Sequence, residues 1–278
     1  MTLVKMKEIL NQAKQNNYGV GAFSVANMEM VIAAIRVAEE LRSPLILQIA
    51  EVRLGHSPLH LMGPMMIEAA KKASVPVAVH LDHGESTEKI KEALELGFTS
   101  VMFDGSLFSI EENIAETKKI VKLAEAYGAT VEAEIGRVGG SEDGSVDIEI
   151  AITSVEEAKR FAEETGIDAL AVAIGNAHGV YKGEPNLRLD RLEEINKEIE
   201  IPLVLHGGSG ISQDDFRKAI THGIRKINVA TSTFNNVIKR VNECAPFDNY
   251  FTYHELVIQA AAENVKSHMD MFQSTKRV

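Results

Sequence analysis

Two rhythms of apolar residues alternate along this chain. Short runs rich in β-branched residues, such as VPVAVHL at 75–81 and ALAVAIG at 169–175, have the length of buried strands. Between them lie stretches such as SIEENIAETKKIVKLAEAYG and SVEEAKRFAEETG, whose apolar positions return every three or four residues, as on one face of a helix. The strand-like runs fall at 20–24, 45–49, 77–81, 100–103, 130–134, 169–174, 203–205 and 226–229. Gly97, Gly128, Gly166 and Gly223 each follow a helical stretch just before the next strand, where a left-handed residue ends a helix. Ser212, with Asp215 three residues on, has the spacing of a helix N-cap. Strand–helix units repeated without a linker predict a parallel α/β sheet. Eight of them predict a closed (β/α)8 TIM barrel over residues 1–278 as a single domain, with additional C-terminal helices. An open doubly wound sheet is the structural alternative. Its nucleotide-binding version is disfavoured, because Gly19 and Gly21 run into Phe23-Ser24 and no third spaced glycine follows.

Composition adds bounds to that picture. The 278 residues are 45% hydrophobic and 25% charged, as expected of a soluble globular protein, and no run approaches the eighteen apolar residues of a membrane span. The N-terminal MTLVKMKEILNQAKQ reads as an amphipathic helix, not as a secretory signal, so a cytoplasmic location is expected. Cys244 is the only cysteine and has no internal disulfide partner. A formal charge of −11 disfavours nucleic acid as a partner. A small phosphorylated ligand remains compatible, since backbone N–H groups hold phosphate without net positive charge.

Candidate chemistry collects at the strand ends, where barrel enzymes place their active sites. HLDHG puts Asp82 and His83 at the end of the third strand, and Asp104 ends the fourth. Glu132 and Glu134 close the fifth, Asn176 and His178 follow the sixth, His206 ends the seventh and Asn228 the eighth. Any one of these could be a satisfied polar group at the rim. Three histidines arriving at one rim from different strands form a set suited to catalytic zinc: neutral imidazoles with an open position. His83, His178 and His206 are therefore the candidate ligands. Strand alternation sets His80 and Asp82 on one face and His83 on the other unless the chain turns there, so His80 is expected in the barrel interior.

Glycine-rich turns supply a second signal. LHGGSG at 205–210 and INVATST at 227–233 follow the seventh and eighth strands, where this architecture cradles phosphate, and HGVYKG adds Lys182 beside His178. In EAEIGRVGGSEDG at 132–144, Gly139 and Gly140 are possible hinges for a loop carrying Glu142 over a substrate; a solvated surface turn is the equal alternative.

Taken in order, HLDHG, VEAEIGRVGGSEDG, HGVYKGEPNL, LVLHGGSG and KINVAT resemble the signature segments of the class II, zinc-dependent ketose-bisphosphate aldolases, over residues 3 to 240. The resemblance implies reversible cleavage of fructose or tagatose 1,6-bisphosphate to dihydroxyacetone phosphate and glyceraldehyde 3-phosphate. By motif position it implies that His83, His178 and His206 bind Zn²⁺, with Asp104 and Glu134 at a neighbouring or alternative metal site. Asp82 then handles the C4 hydroxyl proton and Glu142 exchanges the proton of the three-carbon fragment. Gly179, Lys182, Gly207, Gly208, Ser209, Asn228, Val229, Ala230 and Thr231 match the dihydroxyacetone phosphate site. The resemblance further implies a monovalent cation such as Na⁺ or K⁺ near that phosphate, and a homodimer or homotetramer.

Three features depart from the family pattern. Ser24 stands where members usually carry Asn, Ala50 where they carry Ser, and FDNYFTYHEL replaces the segment that brings an arginine to the second phosphate. All three touch the aldehyde side of the substrate, which leaves open a different phosphorylated ketose or a non-catalytic sugar-phosphate-binding relative. Retention of Asp82, Glu142 and the histidines argues against the latter. A metal-dependent hydrolase on the same barrel is disfavoured, because its first strand typically carries an H-x-H pair and this one reads GVGAFSV.

Overall fold

Eight parallel strands close into a barrel: β1 (Val20–Ser24), β2 (Leu45–Ala50), β3 (Val77–Gly84), β4 (Ser100–Phe103), β5 (Thr130–Ile135), β6 (Ala169–Val172), β7 (Leu203–Leu205) and β8 (Ile224–Val229). The computed structural model describes residues 2–140, 149–179, 181 and 183–278. Strand order around the ring follows the sequence, and the ring closes where β1 pairs with β8 from Val20↔Lys226 to Phe23↔Val229. Helix α1 (Met6–Asn16) precedes β1. Each strand is then followed by a helix: α2 (Met28–Leu41), α3 (Leu59–Lys72), α4 (Thr87–Leu96), α5 (Ile110–Glu125), α6 (Val155–Thr165), α7 (Leu189–Glu198), α8 (Gln213–Thr221) and α9 (Thr231–Cys244). The C-terminal α10 (Tyr250–Met271) completes the chain's helices among the described residues.

Local chemistry starts and stops these helices as the sequence suggests. Ser212 accepts from the Asp215 backbone N–H, and Ser109 with Glu112 forms a reciprocal capping box at the start of α5. Gly97 ends α4 at φ 96°, a conformation that costs other residues about 1–2 kcal/mol.

Alternation along the strands then sorts side chains into two cores. Outward residues such as Val79, Leu81, Val101, Phe103, Leu170 and Val172 pack beneath the helices. Inward residues near the strand starts, among them Ala22, Ala78, Ala169 and Ala171, are too small to fill the bore. Met6, Ile9, Leu10 and Ala13 of α1 enter the space they leave and stopper that end of the barrel. A fully buried Met or Leu contributes about 1.5–3 kcal/mol, so the plug is a substantial part of the fold's stability.

Two strands end two or more residues away from the sequence reading. β3 runs to Gly84 rather than Leu81, because β2 offers partners as far as Ala50↔Asp82. β6 stops at Val172, where Thr153 diverts the chain: the Ala173 N–H donates to Thr153 Oγ1 at 2.8 Å, and the Thr153 N–H donates to the Ala173 carbonyl at 2.9 Å.

Candidate active site

The upper half of the bore belongs to polar side chains. Ala78 faces inward, so alternation turns His80 and Asp82 inward as well. His83 ought then to face the helices, but the β3–β4 register jumps from Leu81↔Val101 to Gly84↔Phe103, leaving one extra residue on β3. His83 absorbs it at φ 45°, a left-handed conformation uncommon for a residue with a side chain. That bulge swings the His83 ring to the mouth beside Asp82. Gly84 makes it possible, since a Cβ there would sit 2.4 Å from the Met102 carbonyl oxygen.

Three imidazoles meet at this mouth. Ring centroids lie 4.5 Å apart for His83–His206, 4.9 Å for His83–His178 and 5.8 Å for His178–His206. One ring nitrogen of each falls within 4.8 Å of the other two. Carboxylates fix which nitrogen faces which way. Asp104 lies 2.6 Å from His83 Nδ1, and Glu132 lies 2.9 Å from His206 Nε2. A carboxylate only accepts, so each of those nitrogens carries the proton. The remaining pair, His83 Nε2 and His206 Nδ1, then point lone pairs at one another across 2.8 Å. Two lone pairs at that separation are relieved by a positive charge beside them, either a proton or a metal ion.

The electrostatics fit a metal. Burial, followed by the neighbouring His83, holds His206 well below the usual imidazole range, which keeps it neutral and able to ligate. Glu134 is buried, and its Oε2 has no hydrogen-bond partner among the described residues. Burial, reinforced by Asp104, pushes its carboxyl up to about 8. For Asp104 itself burial acts upward, but the hydrogen bonds from His83 and Ser106 outweigh it, and the carboxyl lies well below the ordinary range. Asp104 and Glu134 with His83 make a second set of converging donors, also within 4.8 Å.

Asp82 sits directly below, held by two amides. Gln48 Nε2 donates to Oδ2 and Asn228 Nδ2 donates to Oδ1, both at 2.9 Å. Ser24 Oγ accepts from the same Gln48 nitrogen at 3.1 Å, so β1, β2, β3 and β8 all contribute to orienting this carboxylate. His80 lies in the interior as its alternation predicts, with Nδ1 2.8 Å from Ser100 Oγ.

The glycine-rich turns line the far side of the mouth and are laced together. Gly208 N–H donates to the Asn228 carbonyl at 3.1 Å, and Ser232 N–H donates to Ser209 Oγ at 3.0 Å. Gly207, at φ 63°, lies against the segment that carries His178: a Cβ there would be 2.1 Å from the Ala177 carbonyl oxygen. The Tyr181 hydroxyl fastens the same junction, donating to the Gly207 carbonyl and accepting from the Ala177 N–H, each at 3.0 Å. Gly179, Ala230 and Thr231 border this group, with Thr231 opening α9. Val229 is buried in the outer core, so only its backbone is available to a ligand. Asn228 spends its side chain on Asp82 and on Lys226 beneath. Glu142 and Lys182 lie outside the described residues. Gly139 and Gly140, read as hinges, pair in parallel with Ala177 and His178.

Gln48, Tyr181 and Lys226 belong to this site and were not singled out in the sequence. Lys226 carried a usable signal, a charge inside a strand buried on both faces.

Similarity to known proteins supplies the family. The family model for class II fructose-bisphosphate aldolase matches residues 4–277. The chain belongs to the class II fructose-bisphosphate aldolase family. A Bacillus subtilis protein named "Probable fructose-bisphosphate aldolase" is 45% identical over 247 residues, 87% of this chain and 86% of its own. The fructose-bisphosphate aldolase of Staphylococcus aureus is 42% identical over 284 residues, covering 100% of this chain and 99% of its own. Among solved structures, the YdjI aldolase of Escherichia coli K12 superimposes with a TM-score of 0.91 at 36% identity, covering 99% of each chain. This class II aldolase is a carbon–carbon lyase of the metal-dependent kind, and its substrate class is a phosphorylated ketose.

Proposed function

We propose that this aldolase reversibly cleaves fructose 1,6-bisphosphate or tagatose 1,6-bisphosphate to dihydroxyacetone phosphate and glyceraldehyde 3-phosphate, using Zn²⁺ held by His83, His178 and His206. The observation that carries the reading is the convergence of His83 Nε2 and His206 Nδ1 at 2.8 Å with their other nitrogens committed to carboxylates. Asp104 and Glu134 offer a neighbouring or alternative position for the ion. Bound there, zinc supplies Lewis-acid stabilisation of the charge that develops as C3–C4 breaks. Asp82 removes the C4 hydroxyl proton, C4 becomes the aldehyde carbon, and the electron pair of the broken bond passes to C3. Gln48 and Asn228 hold Asp82 through both oxygens, so its role rests on orientation. The backbone N–H groups of Gly207, Ser209 and Thr231 suit the phosphate of the three-carbon fragment, where Na⁺ or K⁺ would share the charge. Glu142 is the proposed acid for that fragment's own proton, and Lys182 a further phosphate contact.

On the aldehyde side, Arg53 follows β2 and places its guanidinium 5.8 Å from the centre of the Phe234 ring of α9. A cation at that rim supports a second anionic group on the substrate. Ser24 and Ala50 beside Asp82 are smaller than the residues usual in the family, which favours as second reading a bulkier or differently configured phosphorylated ketose. Tyr250 and Phe251, 64% and 75% exposed at the start of α10, support a homodimer or homotetramer.

The test is release of triose phosphate from purified, zinc-replete protein offered fructose and tagatose bisphosphates and other ketose phosphates. Cleavage should need metal and leave no borohydride-trapped lysine adduct. A trapped adduct, or no bound metal under replete conditions, would end the proposal.

A further inference from the structure

Beneath the histidines a lysine is sealed inside the barrel. Lys226 on β8 is 0% exposed, with its ammonium 2.9 Å from Oε2 and 3.1 Å from Oε1 of Glu132 on β5. The Oε1 contact is an aligned hydrogen bond; the Oε2 contact is an ion pair without that alignment. The same ammonium donates to Asn228 Oδ1 at 2.8 Å and lies 3.9 Å from Asp82 Oδ1. His80, Asp82 and Glu132 would otherwise form another converging set of donors, and Lys226 already supplies their positive charge. A buried ion pair repays its desolvation poorly, and well-packed apolar residues of similar volume are often as stable or more so. Stability is therefore a weak reason for this pair. What it touches is a better one.

We propose that the Lys226–Glu132 pair is a positioning device that serves two reacting groups at once. It fixes His206 in the tautomer that presents Nδ1 to the metal, and it turns the Asn228 amide so that its nitrogen holds Asp82. The argument is one of donors and acceptors. Lysine has only donors, so the group it meets on Asn228 is the amide oxygen, which leaves the amide nitrogen for Asp82 Oδ1 at 2.9 Å. Glu132, kept as the counter-ion of Lys226, has only acceptors, so His206 Nε2, 2.9 Å away, bears the ring proton. Neither orientation is chosen by His206 or Asn228 alone. The first half of the inference rests on the reading of His206 as a metal ligand; the second does not.

The tautomer can be read directly in the unaltered protein. Histidine-selective ¹⁵N labelling and long-range ¹H–¹⁵N correlation should show His206 protonated at Nε2, both metal-free and after Zn²⁺ is added, with zinc acting on Nδ1. A proton on Nδ1 in the metal-free protein, or zinc on Nε2, would overturn the inference whether or not any variant folds. Failure of zinc to bind at all, with the Nε2 proton in place, would instead sink the ligand assignment.

Two double variants separate positioning from filling. Glu132→Leu with Lys226→Met removes both charges and the acceptor, whereas Glu132→Gln with Lys226→Met removes the charges and keeps an acceptor for His206. Zinc affinity, measured by chelator competition, should fall about 10- to 100-fold in the first and recover most of that in the second, with the metal-free melting temperature no lower than wild type in either. Equal affinities in the two would refute the His206 half. The Gln–Met variant should still lose about 10- to 100-fold in kcat at full zinc occupancy, because the Asn228 amide is then held from the Asp82 side alone. Unchanged kcat would refute the Asp82 half.

Discussion

The two ends of the barrel bore are built from the same strands by the same alternation, yet they hold opposite chemistry. Near the strand starts the inward positions are alanine, valine and isoleucine, and α1 fills the remaining space with Met6, Ile9 and Leu10. Near the strand ends the inward positions are Gln48, His80, Asp82, Glu132, His206, Lys226 and Asn228, all buried and charged or strongly polar. Ser100 marks the boundary: its hydroxyl donates to Met6 Sδ at 3.4 Å and faces His80 Nδ1 at 2.8 Å. The lower end gains free energy by burial, and the upper end spends it on groups that would be more stable in water. Stability and chemistry are thus stacked along one axis, a few residues apart on each strand.

That separation can be attacked from either end. The largest expected effect is from chelation: stripping the metal should reduce cleavage to background and leave the circular dichroism of the barrel intact, and Zn²⁺ should restore turnover. Collapse of the helical signal on chelation would show that the upper end holds up the fold after all. Next comes Asp82→Asn, expected to lower kcat by about 10²–10⁴-fold at unchanged zinc content. Met6→Ala attacks the other end and should cost about 2–5 kcal/mol in denaturant unfolding, with zinc affinity as in wild type. A parallel fall in zinc affinity would mean that the two ends are coupled through Ser100 and His80.

The smallest effect is one of pH. Glu134 is raised from 4.5 to about 8 in the folded, metal-free protein, so its contribution to stability is fully present below pH 4.5 and is lost as pH rises through 8. Glu134→Gln should therefore stabilise the metal-free enzyme at pH 8 relative to wild type and make little difference at pH 4.5. A difference of the same size at both values would assign the effect to packing.

Much of this molecule was legible before any coordinates. The barrel follows from period, because parallel strands buried on both faces read as short apolar runs and helices as three- and four-residue repeats. The histidine trio follows from position, because strand ends in this architecture share one rim. What the residues could not show was how His83 joins that rim. It depends on a bulge centred on a non-glycine residue in a left-handed conformation, and only the register of β3 against β4 reveals it. Gln48 was hidden for a different reason, and the charge that marks Lys226 does not name its partner. A polar residue in a strand acquires meaning from what it meets across the bore, and Glu132 lies on β5, three strands from β8 around the ring.

The stopper at the base of the barrel has one more outcome. With Met6 and Leu10 closing that end and buried polar side chains filling the other half, the bore is no passage, and whatever reaches the histidines arrives and departs at the mouth.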